Sequence, residues 1–446
     1  MTWWLAVGCS GGGPHTQVEG TDPTRPTEPT VPLDLCGEDA CVVAGALEAD
    51  LTLTADRRWV IRDHVFVEDG VTLTVEPGTT VVGAADRLSA LVVRQGGRLV
   101  AEGTPEQPIV FTSERASGAR RPSDWGGIVM LGRAPINCVR DQPEQVCIGF
   151  GLGAVGPHGG DDPSDDSGVL RYVRIEFAGG MPSGDNFYAG LDLRGVGAGT
   201  QVDHVQVHRA AGDGLGIVGG TVDLRHVVVT EAGDDLLDWS DGWTGRAQFV
   251  VLQADHQFGD QGIEGDNNGE NGEVGNALLP RSAPTLANIT VIGSPANPSS
   301  DIGLLLREGT AATIRNSQLV GFDEEGAACL DVDDDATFEQ VLGGGIVLES
   351  VLLDCLTIVR QEADEVLTPA EVEAWLLDLD DANAIGAGLS DLDPGSNSAN
   401  PSEPSFFTER RAGTVTGDAF FLPSDLVGAV HAGDDWTAPW TAYPRD

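Results

Sequence analysis

The chain is expected to be all-β and to wind as a single-stranded, right-handed parallel β-helix, a solenoid. The stretch from Gly199 to Asp266 divides into three similar rows: GTQVDHVQVHRAAGDGLGIVGG, GTVDLRHVVVTEAGDDLLDWSDG and GRAQFVVLQADHQFGDQGIEGD. The apolar pair Val205 and Val207 recurs as Val227 and Val229, then as Phe249 and Val251. That step of about 22 residues falls at the short end of the range for solenoid repeats. Each row has a second apolar run: Leu215 and Ile217, Leu237 and Trp239, then Ile263. Alternation at period 2 means strands with one buried face, two per row, separated by Gly and Asp. The 60 glycines suit the corners of such a solenoid, because Gly accepts positive φ without steric cost.

In chain order, residues 1–9, MTWWLAVGC, resemble the end of a bacterial lipoprotein signal, in which Cys9 would be lipidated and become the N-terminus. A positive n-region is missing and the apolar run is short for a signal peptide. Residues 10–35 are rich in Gly, Pro and Thr with few apolar groups; such a segment cannot bury enough surface to order itself and reads as a disordered tether. The β-helix domain is expected over 36–446. From Leu51 to Ser113 short β-branched runs alternate with turn signals such as Asp69-Gly70, Glu76-Pro77-Gly78 and Gln95-Gly96-Gly97. Insertions are expected near 114–168 and 267–284. Thr368-Pro369-Ala370-Glu371 is a capping box with Pro at the first helical position, so a helix near 369–380 is expected to cover the end of the solenoid. The aromatic residues Trp436 and Trp440 are expected to pack back on the body.

The segments TLTVEPGTTVVG, ALVVRQGGRLVAEGTPEQPIVFTS, SDWGGIVMLGRAPIN, SGVLRYVRIEFAGG, DDLLDWSDGWTGRAQFVVLQ and DQGIEGDNN resemble a family of bacterial secreted or lipoprotein β-helix proteins related to the pectate-lyase-like superfold. The resemblance runs over roughly residues 60–446. It implies fold and a surface location, and no reaction, since that family is mostly of unassigned function.

Seven cysteines are present. Apart from Cys9, proximity pairs Cys36 with Cys41, Cys138 with Cys147 and Cys329 with Cys355, out of 15 possible connectivities. Disulfides imply an oxidising compartment; with the lipoprotein-like start they point to the bacterial cell envelope, the outer membrane in particular, or to an extracellular location, with the membrane reached through the lipid anchor only. Acids number 70 against 25 bases, all Arg, for a net charge of −45. Such a surface repels nucleic-acid phosphates and attracts divalent cations.

The densest set of candidate site residues lies in the three rows. Asp213, then Asp234 and Asp235, then Asp260 precede the second strand of each row, so stacking at about 4.8 Å would build a ladder of carboxylates, flanked by Asp238, Glu264 and Asp266. A second acidic cluster is Asp331, Asp333, Asp334 and Asp335. Oxygen-rich sites suit Ca²⁺, the one cofactor expected; the alternative is that these acids bond backbone amides at corners. Trp239 and Trp243 are candidates for stacking on sugars. The function expected is a non-enzymatic display or binding scaffold contacting a glycan or a surface protein. The alternative is a calcium-dependent polysaccharide lyase or glycoside hydrolase using Asp234, Asp235 and Asp260, with Arg209, Arg225 or Arg246 available to a lyase.

Overall fold

The computed structural model describes residues 36–444, except 38–39, 140–144, 151–154, 182–187, 256, 295–296, 298, 362–365, 393–406, 416–417 and 432. Cys9, the signal-like start and the tether therefore lie outside the described residues. The chain forms a right-handed parallel β-helix in which 26 strands join one continuous ladder. Each rung presents three faces. The first runs from Leu51–Leu53 through Thr72–Val75 and Arg98–Glu102 into 168–171, 201–203, 223–225 and 246–248. The second runs from Thr80–Gly83 through Ile109–Ser113 into 173–176, 205–208, 227–230, 250–253 and 289–292. The third stacks Ala90–Val93, Ile128–Leu131, Leu191–Arg194, Leu215–Val218, Leu237–Ser240, Ile263–Gly265, Ile302–Leu306 and Ala328–Val332.

A single residue in the left-handed region separates the first face from the second on successive rungs: Tyr172, His204, His226, Phe249 and Asn288, with φ between 50° and 58°. This conformation is uncommon outside Gly, and here it bends one continuous strand across two faces. It also corrects the third row. The ladder pairs Val227 with Val250 and Val229 with Leu252, one residue beyond the Phe249 and Val251 expected from the repeat. Phe249 is the bend residue, and because side chains alternate, the slip of one sends Val251 outward instead of inward.

Inward residues of all three faces fill one core, including Val205, Val227, Leu215, Leu237 and Trp239. The segment near 114–168 is not wholly an excursion, because Ile128–Leu131 is a third-face strand inside it. Between 267 and 284 a short 3₁₀ stretch, Gly269–Ala277, leaves the rungs. The helix Pro369–Leu379 forms where the capping box lies; the Thr368 N–H donates to the Glu371 carboxylate at 2.9 Å, and Val372 and Leu376 are buried. A second helix, Asp335–Gly343, was not foreseen: Asp334, one of the second acidic cluster, caps it by accepting from the Ala336 and Thr337 amides at 2.8 and 2.9 Å. The disulfides Cys36–Cys41, Cys138–Cys147 and Cys329–Cys355 are all formed. No helix among the described residues is long and apolar enough to cross a membrane.

After the last rung the chain returns as a strap, formed by the described residues between 407 and 444, over the outward side of the first and second faces. Gln206 and Gln248 each clasp it with a pair of hydrogen bonds. Gln206 Nε2 donates to the Ala442 carbonyl at 2.8 Å and Gln206 Oε1 accepts from the Ala442 amide at 3.0 Å. Gln248 does the same with Leu422, at 2.8 and 2.7 Å. Trp440, fully buried, packs with Val228, Val251, Ala429 and Val430, as its apolar ring requires.

Candidate functional site on the acidic face

The third face carries the acids. In each strand the residues at the core-facing positions are apolar, so the residues between them point out. Register places Asp192, Gly216, Asp238, Glu264, Leu305 and Asp331 in one outward column. Two residues before each strand the column reads Asp213, Asp235 and Gln261, since the Gly214 amide bonds the Asp235 carbonyl and the Leu236 amide bonds the Gln261 carbonyl. Asp260 is therefore not the third member of the ladder: its amide bonds the Asp234 carbonyl at 3.0 Å, which stacks it on Asp234 at the exposed margin, because the loop before Ile263 is longer than the one before Leu237.

Asp213, Asp234 and Asp235 each offer a carboxylate oxygen within 4.8 Å of the others. Gly216 leaves a gap in the outward column between Asp192 and Asp238; a Cβ there would stand 3.1 Å from Ala189 Cβ and 3.7 Å from Asp213 Oδ2. Asp238 Oδ1 is buried and accepts no hydrogen bond. Asp235 Oδ1 accepts from the Gln261 amide at 2.8 Å, a corner role of the kind Asp often takes. Two arginines flank the set: Arg194 meets Asp192 at 2.8 Å, and Arg307 bonds Asp266 at 3.0 Å and also Glu264.

Burial and mutual repulsion oppose ionisation of these groups. Burial lifts the Asp213 carboxyl to about 7, with the Asp234 and Asp192 charges adding to it. Glu264 rises to about 8, through burial and then Asp266, with Arg307 opposing. Asp235 and Asp238 are pushed well above the ordinary carboxylate range, by burial first and by their acidic neighbours second. Asp266 is raised by burial against the pull of Arg307, and Asp260 reaches about 6.

Of the expected site residues, Asp213, Asp234, Asp235, Asp238, Glu264 and Asp266 share this face, and Asp260 borders it. Trp239 and Trp243 cannot stack on a sugar. Both are fully buried: Trp239 shares the parity of Leu237 and points into the core, donating to Thr310 Oγ1 at 3.1 Å, while Trp243 donates to the Val222 carbonyl at 3.0 Å. Arg209, Arg225 and Arg246 lie elsewhere, held by Glu231, by the Phe420 carbonyl and by Asp223 with Asp418. Asp192, Arg194, Gly216 and Arg307 were missed. The signal for the first three was present: LDLR at 191–194 and LGIV at 215–218 repeat the alternation of LDWS at 237–240.

A parallel β-helix with a carboxylate-lined outer face defines a class of scaffold. Within it the chain belongs to the pectate-lyase-like β-helix domain family, whose model matches residues 45–397. No curated protein matches. Among solved structures, the tailspike protein of the Acinetobacter phage vB_ApiP_P1 is similar at 8% identity and a TM-score of 0.35, covering 83% of this chain and 60% of the tailspike chain. The chain thus spans less than two thirds of that protein.

Proposed function

We propose that the protein is a glycan-binding β-helix of the cell envelope that engages an acidic glycan at its third face, with Ca²⁺ held among Asp213, Asp234, Asp235 and Asp238. The observation that carries this reading is the convergence of three carboxylates within 4.8 Å beside the gap at Gly216. All three donors are hard oxygens, the set that suits Ca²⁺; Asp238, whose Oδ1 is buried without a hydrogen bond, stands in the next column, outside that cluster, and is proposed as a fourth ligand. Ca²⁺ would supply positive charge on a face that otherwise repels an anionic ligand, while Arg194 and Arg307 flank it. Membership of a pectate-lyase-like family supports a glycan at the level of class only, since a fold hosts many functions.

The test is thermal unfolding of the full chain with Ca²⁺ and then with excess chelator. The midpoint should rise with Ca²⁺ by mass action, and Asp235→Asn should remove most of the rise. An unchanged midpoint in wild-type protein would refute the cation. The three disulfides support an oxidising setting; lipidation at Cys9 rests on the MTWWLAVGC start alone, and fatty-acid labelling that survives Cys9→Ser would rule that anchor out.

One observation favours a second reading, hydrolysis of the glycan. Glu264 stands between Asp238 and Asp266 with Arg307 against it, and burial raises its carboxyl to about 8, the direction a general acid needs. Release of reducing ends from acidic polysaccharides, abolished by Glu264→Gln, would establish it; chelator-insensitive binding with no such release would reject it.

A further inference from the structure

The bend between the first and second faces carries a column of rings. Tyr172, His204, His226 and Phe249 stack at centroid separations of 4.3, 4.3 and 5.2 Å. The column ends at Phe249, because the next bend residue is Asn288, whose amide is committed to the Leu426 carbonyl and Ser424 hydroxyl of the strap. Above this end the strap does not close down on the rungs. It leaves a cavity of about 280 Å³ walled by the rings of His226, Phe249 and Trp436 and rimmed by Arg411, Ser424 and Asp434. Trp436 is fixed there by its indole N–H, which donates to the Ala429 carbonyl at 2.8 Å, and by ring contact with His226 at 5.0 Å.

We propose that this cavity binds a single neutral sugar ring, at a site on another face from the acidic one and independent of any cation. The class follows from three features. The volume sits just under the range of about 300–1,000 Å³ for ligand pockets, which suits one ring-sized group. The wall is aromatic: Phe249, at the end of the stack, and Trp436 offer ring surface complementary to the C–H face of a pyranose, while His226, stacked between His204 and Phe249, offers its edge. The rim mixes donors and acceptors: Arg411, paired with Asp425 at 2.8 Å, the ring of His431, the Ser424 hydroxyl and the acceptor-only Asp434. A cation would call for acceptors alone and an anion for donors alone; ring hydroxyls, which both donate and accept, match the mixture. The Gln206 and Gln248 clasps on either side hold the strap, so the cavity exists before a ligand arrives.

Ligand-observed NMR with the full chain in excess chelator would test this, using glucose, galactose, mannose and N-acetylglucosamine as probes and tetramethylammonium as a comparison. Saturable transfer to at least one sugar is expected. Phe249→Leu, which keeps an apolar side chain under the strap, should weaken it about tenfold. Asp235→Asn should leave it unchanged, which separates this site from the acidic face. No saturable transfer to any sugar, equal affinity in Phe249→Leu protein with an unaltered melting midpoint, or saturation by tetramethylammonium alone would each overturn the proposal.

Discussion

The second and third faces are laid down on the same rungs, yet the strap crosses one and not the other. On the second face the outward column is Gln206, Val228, Val251, Thr290 and Gln318. Every member is neutral, and the amides and hydroxyl can bond a passing backbone. The strap accepts that offer: the Ala429 amide donates to Thr290 Oγ1 at 2.8 Å and Trp440 covers the two valines. The third-face column is Asp192, Gly216, Asp238 and Glu264. A backbone laid over it would bring carbonyls against carboxylates and strip both of water, at about 1–3 kcal/mol for each group left unsatisfied. With no Lys and only 25 Arg in the chain, little positive charge is available to cover it. Outward side chains thus decide which face the strap can close.

The largest effect is expected where the strap is anchored. Trp440→Ala removes a fully buried indole and should cost about 3–5 kcal/mol. Protease cleavage within 407–444 should accelerate, while the response of the melting midpoint to Ca²⁺ persists. Loss of that response as well would show that the two faces are one cooperative unit, and the contrast between them would fall.

Gln248→Ala should cost less, on the order of 1–3 kcal/mol in denaturant unfolding, because Gln248 is buried and its removal leaves the Leu422 amide and carbonyl without their partner. An exposed glutamine would show almost no loss. A cost within experimental error would mean that the strap is held by apolar burial alone.

Much of this architecture was legible in the chain. The 22-residue step between Val205 and Val227 is a true ladder contact, and the three disulfides join the cysteines nearest in sequence. The failure at Phe249 has a physical cause. Bend residues are defined by positive φ, and Tyr172, His204, His226, Phe249 and Asn288 share no hydropathy by which a pattern could mark them. Parity alone would have placed Trp239 indoors, since it stands two residues from Leu237 on the same strand. The site was half visible for a different reason. Asp213, Asp235 and Asp238 fall in two rows of nearly equal length, whereas Arg307 reaches Glu264 and Asp266 only after the long connection that includes Gly269–Ala277 and the strand Thr285–Ile292.

The sharpest use of the contrast is a substitution with opposite signs in two conditions. The Asp213, Asp235, Asp238 and Glu264 carboxyls hold their protons to higher pH in the folded protein than in the unfolded chain, where they titrate near 4. Between about pH 4 and pH 8 the folded state therefore binds more protons, and stability without a cation falls as pH rises, by roughly 1.4 kcal/mol per pH unit for each proton of difference. Asp238→Asn removes one such group. At pH 8 in chelator it should stabilise the protein by about 1–2 kcal/mol, with no gain at pH 4. In saturating Ca²⁺ the same variant should fall below wild type, because it has lost a ligand. Asp260→Asn is the comparison: at the exposed margin, with Asp301 and Asp234 as its acidic neighbours and solvent to screen them, its gain should be smaller than that of Asp238→Asn, about 1 kcal/mol or less, and its Ca²⁺ response should be that of wild type. A larger effect at Asp260 than at Asp238 would move the charge-sensitive centre from the Gly216 gap to the margin of the face, and the cation assigned to that gap would have to move with it.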